Sequence, residues 1–360
     1  MALRGALIGV GGVALHGHLP GWLERRDLEI VAGTDVVPAR EEALRRRLPG
    51  ARWYPDAGAL LDGEALDFVD ICTPPGTHAG LVRAALQRGR HVLCEKPLVC
   101  RPEELRPLAD LAGRTGRVLH TVHNWLHAPV IRKAGELVRQ GAIGEVRACR
   151  WATLRTGPAG GDGAAAGNWR VDPAMAGGGI LMDHGWHALY VLHGWLGGPP
   201  RRIAARLETR RHVRWPLEDT ATVRLEYAVA EAEVFLTWAA EHRRNSASLE
   251  GSRGTIRLED DTVVLTPCGS RGPGERWACP PPLSGGSYHP DWFAGVAAAF
   301  LAEVGGTSAG GGTNLEAASL CATVVALAQA SSRQGGSWLP VPEPAVADAS
   351  RPRGEVGLSP

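Results

Sequence analysis

Lys96, Asp183 and His187 are the residues of this sequence whose types and spacing best fit proton transfer. Asp183 and His187 are four residues apart in a segment with helical periodicity, so they share one helix face and can form a hydrogen bond. A carboxylate beside an imidazole fixes the tautomer of the ring and raises its basicity, as acid–base catalysis requires. Lys96 stands between Glu95 and Pro97, where its amine can orient and polarise a substrate oxygen. All three are predicted to be catalytic and to contact the substrate.

Each of these residues also has a purely structural interpretation. Lys96 follows a short apolar strand and precedes a proline, which cannot extend a sheet, so it could be a surface lysine at a turn. The contact between Asp183 and His187 could serve only to stabilise their helix. His184 and His187 could bind a metal together, but no further Asp, Glu, His or Cys lies at a useful spacing, so no metal is predicted.

A glycine-rich turn near the start of the chain predicts a dinucleotide site. An apolar strand runs into the pattern Gly-x-Gly-x-x-Ala, and the turn comprises Gly9, Gly11, Gly12, Val13 and Ala14. The first glycine makes the tight turn, the second lets the backbone approach a pyrophosphate, and the N-terminus of the following helix attracts that anion. His16, Gly17 and Pro20 weaken this helix, so an irregular first turn is expected.

Asp35 ends the second apolar run, twenty-one residues after Ala14. A carboxylate at this position can bind the ribose hydroxyls of NAD and would repel the 2′-phosphate of NADP, so NAD is the predicted cofactor. Arg40, one turn into the following helix, keeps NADP from being excluded. Asp35 could also cap the helix that begins near Ala39.

The elements that must position these residues alternate between strand and helix up to residue 122. Six strands alternating with helices predict a doubly wound parallel α/β sheet of the Rossmann type, and residues 1–122 would form this dinucleotide-binding domain. Ligands bind at the carboxyl ends of such strands. Thr73 and Pro74, directly after one strand, are therefore predicted to line the cofactor crevice. His78 could contact the cofactor or merely begin the next helix.

From residue 146 the alternation stops and a different architecture is predicted. Strand-like runs lie at 146–154, 202–207, 220–227, 232–237, 247–250, 255–258 and 263–266, and helices at 292–304 and 315–332. Short polar turns between the runs favour an open, mainly antiparallel sheet. Residues 123–340 would form this α+β domain for substrate binding and oligomerisation, with its last helix packing between domains. The loop 156–167 could be a lid or simply disordered, and 341–360 is expected to be a flexible tail.

Composition narrows the function classes and the compartment. The 360 residues include 39 Lys and Arg against 38 Asp and Glu, so no electrostatic signal for nucleic acid or membrane binding is present. No signal peptide or membrane-spanning run is predicted. The seven cysteines form no Cys-x-x-Cys pair, which favours reduced thiols and a cytoplasmic location.

Taken in chain order, these motifs resemble those of the Gfo/Idh/MocA family, the glucose–fructose and inositol oxidoreductases and their relatives. The resemblance rests on the glycine turn, Asp35, Thr73-Pro74, Cys94-Glu95-Lys96-Pro97, Asn124, Trp169-Arg170 and the Asp183-x-x-x-His187 motif. It covers nearly the whole chain, and the Glu-Lys-Pro and Asp-x-x-x-His motifs are specific to the family. They do not specify the substrate.

The resemblance implies an NAD(P)-dependent oxidoreductase that transfers hydride between a nicotinamide cofactor and a secondary alcohol or ketone of a sugar, cyclitol or nucleotide-linked sugar. It adds Glu95, Lys96 and Asn124 to the predicted cofactor contacts. It adds Trp169 and Arg170 to the predicted substrate contacts, with Arg170 near the substrate or the cofactor phosphates. One face of the second sheet would cover the crevice and the other would join subunits, so a homodimer or homotetramer is expected.

In this interpretation His187 or Lys96 accepts the hydroxyl proton during oxidation, and the sequence does not decide between the two. Two other functions stay open. One is an NAD-dependent glycosidase of the same fold, which borrows and returns the hydride. The other is a non-catalytic regulator that binds a dinucleotide or a sugar.

Overall fold

Two β-sheets organise the chain in the computed structural model, which describes residues 2–160, 167–307 and 312–342. The elements of the first half are β1 (Leu3–Ile8), α1 (Leu19–Leu23), β2 (Leu28–Thr34), α2 (Arg40–Arg47), β3 (Arg52–Tyr54), α3 (Ala57–Gly63), β4 (Phe68–Ile71), α4 (His78–Gln87), β5 (His91–Cys94), α5 (Leu105–Thr115) and β6 (Leu119–Thr121). Their six strands are parallel and lie in the order β3-β2-β1-β4-β5-β6. The predicted doubly wound Rossmann sheet is confirmed.

Burial on both faces explains why the central strands read as continuous apolar runs. All four residues of β4 and of β5 are buried, and β1 ends in four buried residues. The edge strand β3 has one exposed and two half-buried residues and no apolar run, so periodicity did not locate it. The turn after β1 continues into a π-helix, Val13–His18, which is the irregular start expected before α1.

The second sheet has nine strands and contains most of the remaining elements. These are α6 (Pro129–Arg139), β7 (Val146–Leu154), α7 (Pro173–Ala176), α8 (Trp186–Leu196), β8 (Arg202–Glu208), β9 (Thr220–Glu226), β10 (Glu231–Thr237), β11 (Arg244–Gly251), β12 (Gly254–Glu259), β13 (Thr262–Pro267), β14 (Glu275–Ala278), α9 (Pro290–Val304), α10 (Thr313–Arg333) and β15 (Leu339–Pro340). The strand order is β14-β13-β12-β11-β7-β10-β9-β8-β15. β7 and β10 pair in parallel and the other pairs are antiparallel, as expected for a mainly antiparallel sheet.

One face of this sheet is covered by helices, and the other is open. Along β10 the side chains alternate, with Val234 and Leu236 buried and Glu233 exposed. On the covered face α10 packs against β8 and α8. We call the other side the open sheet face; it carries a shallow depression lined by polar, charged and apolar residues, among them the half-buried Phe235.

Helix α10 is long and apolar enough, by length and composition, to span a membrane. Its residues are instead packed in the protein core, with Leu320, Val324 and Val325 each at most 3% exposed. It also contacts β6, the last strand of the first sheet. The helix thus packs between the two sheets.

Helix α9 returns the chain to the first sheet after the second sheet is complete. Phe293 and Phe300 on α9 form edge contacts with Trp22 of α1, and Phe300 also contacts Phe68 of β4. A part of the predicted second domain, 123–340, therefore covers the nucleotide-binding sheet. The two sheets are joined by packed helices at more than one place, which fixes the crevice between them.

Candidate active site

Gly9 forms the turn after β1 with a φ angle of +89°, a conformation that residues with a Cβ rarely adopt. A Cβ added here would lie 2.8 Å from Thr73 Cγ2 and 2.9 Å from the backbone carbonyl carbon of Cys72. The glycine therefore lets the turns after β1 and β4 approach each other. Gly12 then caps the π-helix, so the chain turns directly into a helix start. This arrangement fits a pyrophosphate, which needs close backbone and a helix N-terminus.

Asp35 lies at the end of β2 beside this turn. Its carboxylate accepts hydrogen bonds from the backbone N–H groups of Val10 (2.7 Å) and Val37 (2.8 Å), and Arg40 Nη1 lies 3.4 Å from Oδ2. Helix α2 begins after Ala39 without a side-chain cap, so the interpretation of Asp35 as the cap of that helix is wrong. The carboxylate is instead held against the glycine turn, where ribose hydroxyls would meet it.

His78 does not face the crevice, which corrects its predicted cofactor contact. The residue is fully buried, with Nδ1 2.7 Å from the Pro97 carbonyl oxygen and Nε2 2.8 Å from that of Thr73. Both ring nitrogens are thereby engaged by backbone. The side chain links the loops after β4 and β5, so it helps to position Thr73 and Lys96 without facing the crevice.

Lys96 lies at the carboxyl end of β5 and reaches across to the second half of the chain. Its Nζ donates to the backbone oxygen of Asp183 at 2.8 Å and to the Oδ1 of that residue at 3.0 Å. Asp183 belongs to a π-helical segment, Leu181–Gly185, that precedes α8. Because this segment is not α-helical, the periodicity that predicted an Asp183–His187 hydrogen bond does not apply, and the carboxylate is paired with Lys96 instead.

His187 is held by an aromatic partner rather than by a carboxylate. Its Nδ1 lies 2.7 Å from the Tyr190 hydroxyl, which also accepts a hydrogen bond from the backbone N–H of Trp125 at 3.1 Å. The ring stacks on Trp125 with centroids 4.4 Å apart and planes 10° apart. The predicted hydrogen bond to Asp183 is wrong, but the imidazole is fixed in orientation by these two neighbours.

Burial and local charge set the protonation of this group of residues. Burial would raise the pKa of Asp183, but Lys96, His184 and Arg170 together outweigh that effect and hold the pKa far below its usual range. Burial lowers the pKa of His187 well below its usual value, and the Lys96 charge adds to the effect. Asp183 is therefore a carboxylate and His187 a neutral imidazole at neutral pH, which leaves His187 able to accept a proton.

A buried hydrogen-bond network around His18 supports the backbone of Lys96 and was not predicted from the sequence. His18 Nδ1 lies 2.9 Å from Asp70 Oδ2, and its Nε2 lies 3.0 Å from Glu95 Oε1. Burial would lower the pKa of His18, but the charge of Asp70 and the hydrogen bonds to Asp70 and Cys72 raise it well above the usual value. The imidazolium thus anchors Glu95, whose other oxygen accepts the Lys96 backbone N–H at 2.9 Å.

The same network contains a potential metal-binding group. Ligand atoms of His18, Asp70 and Cys72 lie within 4.8 Å of one another. These atoms already hydrogen-bond one another, and Asp70 also accepts a 2.7 Å hydrogen bond from the Trp22 indole. Their arrangement is explained by these bonds, and we assign no metal to it.

Two adjoining cavities, which share Thr73, Trp169 and Arg170 in their linings, form one crevice from the glycine turn to Lys96 and His187. Of the predicted residues, its cofactor end is lined by Gly9, Gly11, Gly12, Val13, Asp35, Thr73 and Pro74, and its other end by Glu95, Lys96, Asn124, Asp183 and His187. Trp169 and Arg170 line both parts, with the guanidinium 4.2 Å from the indole centroid. Asn124 presents a buried Oδ1 that has no hydrogen-bond partner in the described chain. Residues 161–166 of the predicted lid lie outside the described residues.

The crevice also contains residues that were not among the predicted site residues. Arg155, His184, Arg243, Tyr288 and His289 all line its Lys96 end. Arg155 directly follows β7, and Arg243 directly precedes β11, the strand that pairs with β7. Tyr288 and His289 immediately precede α9. The pairing of β7 with β11 brings Arg155 and Arg243 to the site, and the packing of separate helices brings the others, so local spacing carried no signal for them.

The chain belongs to the Gfo/Idh/MocA family. Residues 3–123 match the oxidoreductase family with an NAD-binding Rossmann fold, and residues 131–257 match the GFO/IDH/MocA C-terminal domain. D-apiose dehydrogenase of Paraburkholderia graminis is 30% identical over 291 residues, which are 78% of this chain and 74% of that protein. The dTDP-3,4-didehydro-2,6-dideoxy-alpha-D-glucose 3-reductase of Streptomyces antibioticus is 31% identical over 262 residues, 71% of this chain and 75% of that protein.

A solved structure of levoglucosan dehydrogenase in complex with NADH and levoglucosan has the same fold. The TM-score is 0.81 at 21% sequence identity, and the match covers 95% of this chain and 100% of the other. At this identity the likeness concerns the fold alone. With the two family matches, the chain is an NAD-binding oxidoreductase, which confirms the family, the fold class and the cofactor that the sequence predicted.

Proposed function

We propose that this oxidoreductase transfers hydride between NAD and a secondary alcohol or ketone of a sugar, a cyclitol or a nucleotide-linked sugar. The observation that carries the proposal is the single crevice that holds the glycine turn and Asp35 at one end and Lys96, Asp183 and His187 at the other. Two relatives that support it are named for an apiose dehydrogenase and for a dTDP-sugar reductase activity.

The residues that would hold the cofactor follow from their places in the crevice. The turn from Gly9 to Val13 would receive the pyrophosphate, and Asp35 the ribose hydroxyls. Thr73, Pro74, Glu95 and Asn124 would line the remaining length toward Lys96. NAD, when bound, supplies the nicotinamide carbon that accepts or returns the hydride. The protein groups must then orient the substrate and move its proton.

Proton transfer is assigned to His187 and Lys96. In the tautomer with hydrogen on Nδ1, His187 donates to the Tyr190 hydroxyl oxygen and leaves Nε2 free to accept the substrate proton. Lys96 Nζ, held by Asp183, would donate to the same substrate oxygen and stabilise its developing negative charge. In the reverse direction, His187 Nε2 returns the proton to the alkoxide.

The proposal is tested by following NADH formation with purified enzyme, NAD and a panel of sugars, cyclitols and nucleotide-linked sugars. We expect NADH to form in proportion to a ketone product for at least one member. Release of a free sugar from a glycoside without net NADH would instead identify the glycosidase alternative. Tight NAD binding with no turnover of any member, in either direction, would favour a regulator.

Two further properties are proposed with this function. The seven cysteines are all free thiols, which agrees with a reducing compartment such as the cytoplasm. The open sheet face is proposed to join subunits of a homodimer or homotetramer, because a large sheet with one uncovered face commonly packs against another surface.

A further inference from the structure

Positive charge exceeds negative charge at the Lys96 end of the crevice. Arg155, Arg170 and Arg243 line it together with Lys96. The two carboxylates there are both engaged, since Glu95 pairs with His18 and Asp183 pairs with Lys96. After these pairs are formed, three guanidinium groups are left, and a guanidinium keeps its charge at physiological pH.

Arg155 is the most informative of the three because it is only 2% exposed. Its Nη1 donates to the carbonyl oxygens of Leu154 (2.7 Å) and Arg244 (3.3 Å), and its Nη2 to Asn245 Oδ1 (3.2 Å). These acceptors are neutral, and its buried Nε has no partner in the described chain. Burying a charge without a counter-ion costs free energy, so a buried, unpaired guanidinium that lines a cavity is expected to bind an anionic ligand there.

Arg243 presents a second charge to the same end of the crevice. It donates from Nε to the Ser284 carbonyl oxygen (3.1 Å) and from Nη2 to that of Gly286 (2.6 Å), again neutral acceptors. Burial and the charge of Arg243 lower the pKa of Arg155 to about 10, and the carboxylates of Asp183 and Asp260 offset this only in part. His184 experiences both charges as well as that of Lys96.

Arg170 differs from Arg155 and Arg243 because it also lines the cofactor part of the crevice. It stacks on Trp169 and lines both parts of the crevice, including the part with the glycine turn that would receive the cofactor phosphates. Arg155 and Arg243 line only the part that contains Lys96, Asp183 and His187. In the described part of the chain, no carboxylate forms a salt bridge with either of them.

We propose that the substrate carries an anionic group, a carboxylate or a phosphate, and that Arg155 and Arg243 bind it. The inference rests on the proposed dehydrogenase activity and narrows its substrate class. Guanidinium groups bind the oxygens of both anions in a planar, often bidentate geometry. A neutral sugar in the same position would leave the two charges unpaired, so the pair selects against it.

The test compares each neutral substrate with its charged counterparts on the wild-type enzyme. D-glucose, D-glucuronate and D-glucose 6-phosphate form one such set, and further aldoses and polyols form others. We expect the charged member of the productive set to exceed the neutral one in kcat/KM by about a hundredfold, the scale of a lost charged contact. Preference for the uronate identifies a carboxylate substrate, and preference for the phosphate identifies a phosphoryl group.

The variants Arg243→Gln and Arg155→Gln test whether these two side chains bind the anionic group of the substrate. Arg83→Gln, on the exposed face of α4, is the matched control. Arg243 is exposed, so its variant should fold normally even if Arg155→Gln does not. We expect Arg243→Gln to raise KM for the charged substrate at least about tenfold, as loss of a ground-state contact does, and to narrow the preference for the charged substrate over the neutral one. Equal or better use of the neutral members, with no effect of Arg243→Gln, would overturn the inference.

A binding measurement keeps this test separate from that of the dehydrogenase activity. The melting temperature of the NAD-loaded protein is measured with each member of the set. We expect the charged members to raise it and the neutral members not to, and Arg243→Gln to remove the difference. A shift without NADH formation would contradict the proposed reaction and keep the anion site, whereas equal shifts for all members would contradict the anion site.

Discussion

His18 shows how a single residue can organise the site from outside it. Its imidazolium joins Asp70 to Glu95, and Glu95 holds the backbone of Lys96. Its partners are distant in sequence: Asp70 lies 52 residues away in β4, and Glu95 lies 77 residues away, directly after β5. No local sequence pattern indicates a network between such distant residues, so it was not predicted from the sequence.

The raised pKa of His18 predicts a pH-dependent contribution to stability. Below the unfolded pKa of about 6.5, the ring is charged in both states and its ion pairs contribute fully. As the pH rises toward the folded pKa, the unfolded chain releases the proton and the contribution is lost, by at most about 1.4 kcal/mol per pH unit.

The measurement is denaturant unfolding of the wild type and His18→Gln between pH 6 and 9. We expect the wild-type advantage to shrink steadily over this range. A difference between the two proteins that stays constant with pH would show that the ring is not held in its charged form.

The residues proposed to be catalytic illustrate the opposite case, in which the sequence selected the groups but not their contacts. Lys96, Asp183 and His187 line one crevice as expected. Their pairing was wrong because a π-helical turn shifts Asp183 away from α-helical register with His187. The π-helical turn follows Gly179 and Ile180, whose backbone N–H groups donate to the side chain and the backbone carbonyl of Glu218. Because Glu218 is distant in sequence, local periodicity could not indicate this irregularity.

At the scale of elements, long apolar and alternating runs predicted nearly all strands of both sheets. The strands that the sequence did not locate are short edge strands, β3, β14 and β15, whose residues are largely exposed or half-buried. Edge strands bury few side chains, so their apolar pattern is weak. The glycine turn after β1 was predicted because its spacing reflects backbone geometry that few residues can adopt.

Gly9→Ala should therefore damage both the fold and the cofactor site. The positive φ costs about 1–3 kcal/mol with a side chain, and the added Cβ meets Thr73 and Cys72. We expect a lower melting temperature and a weaker affinity for NAD, measured by calorimetry.

Gly80→Ala is the matched control, because Gly80 is exposed on α4 and a Cβ there meets nothing within 4 Å. It should keep NAD affinity and stabilise the helix by about 0.5–1 kcal/mol. If Gly9→Ala bound NAD as tightly as Gly80→Ala, the pyrophosphate would not lie on this turn.

At the scale of the whole molecule, helices α9 and α10 tie the two sheets together and leave the open sheet face uncovered. Phe235 lies half-buried in the depression on that face. If the face joins subunits, a charge at this position should separate them, because an unpaired charge in an interface is costly.

We expect Phe235→Glu to lower the molar mass measured by light scattering on a sizing column, from a dimer or tetramer to a smaller species. Val229→Glu is the control, since Val229 is 63% exposed on the β9–β10 connection. A wild-type protein that is already monomeric, or equal masses for both variants, would contradict an interface on this face.

The central claim is that Lys96 and His187 move the substrate proton in one crevice with the cofactor. It is tested most directly by turnover and NAD affinity, measured together, in Lys96→Met and His187→Asn. Lys133→Met is the control, since Lys133 is the only other lysine in the chain and pairs with Glu136 away from the crevice. We predict that each site variant lowers kcat at least about a hundredfold while NAD affinity is largely kept, as loss of acid–base catalysis requires. Turnover close to that of Lys133→Met in both variants would contradict the claim.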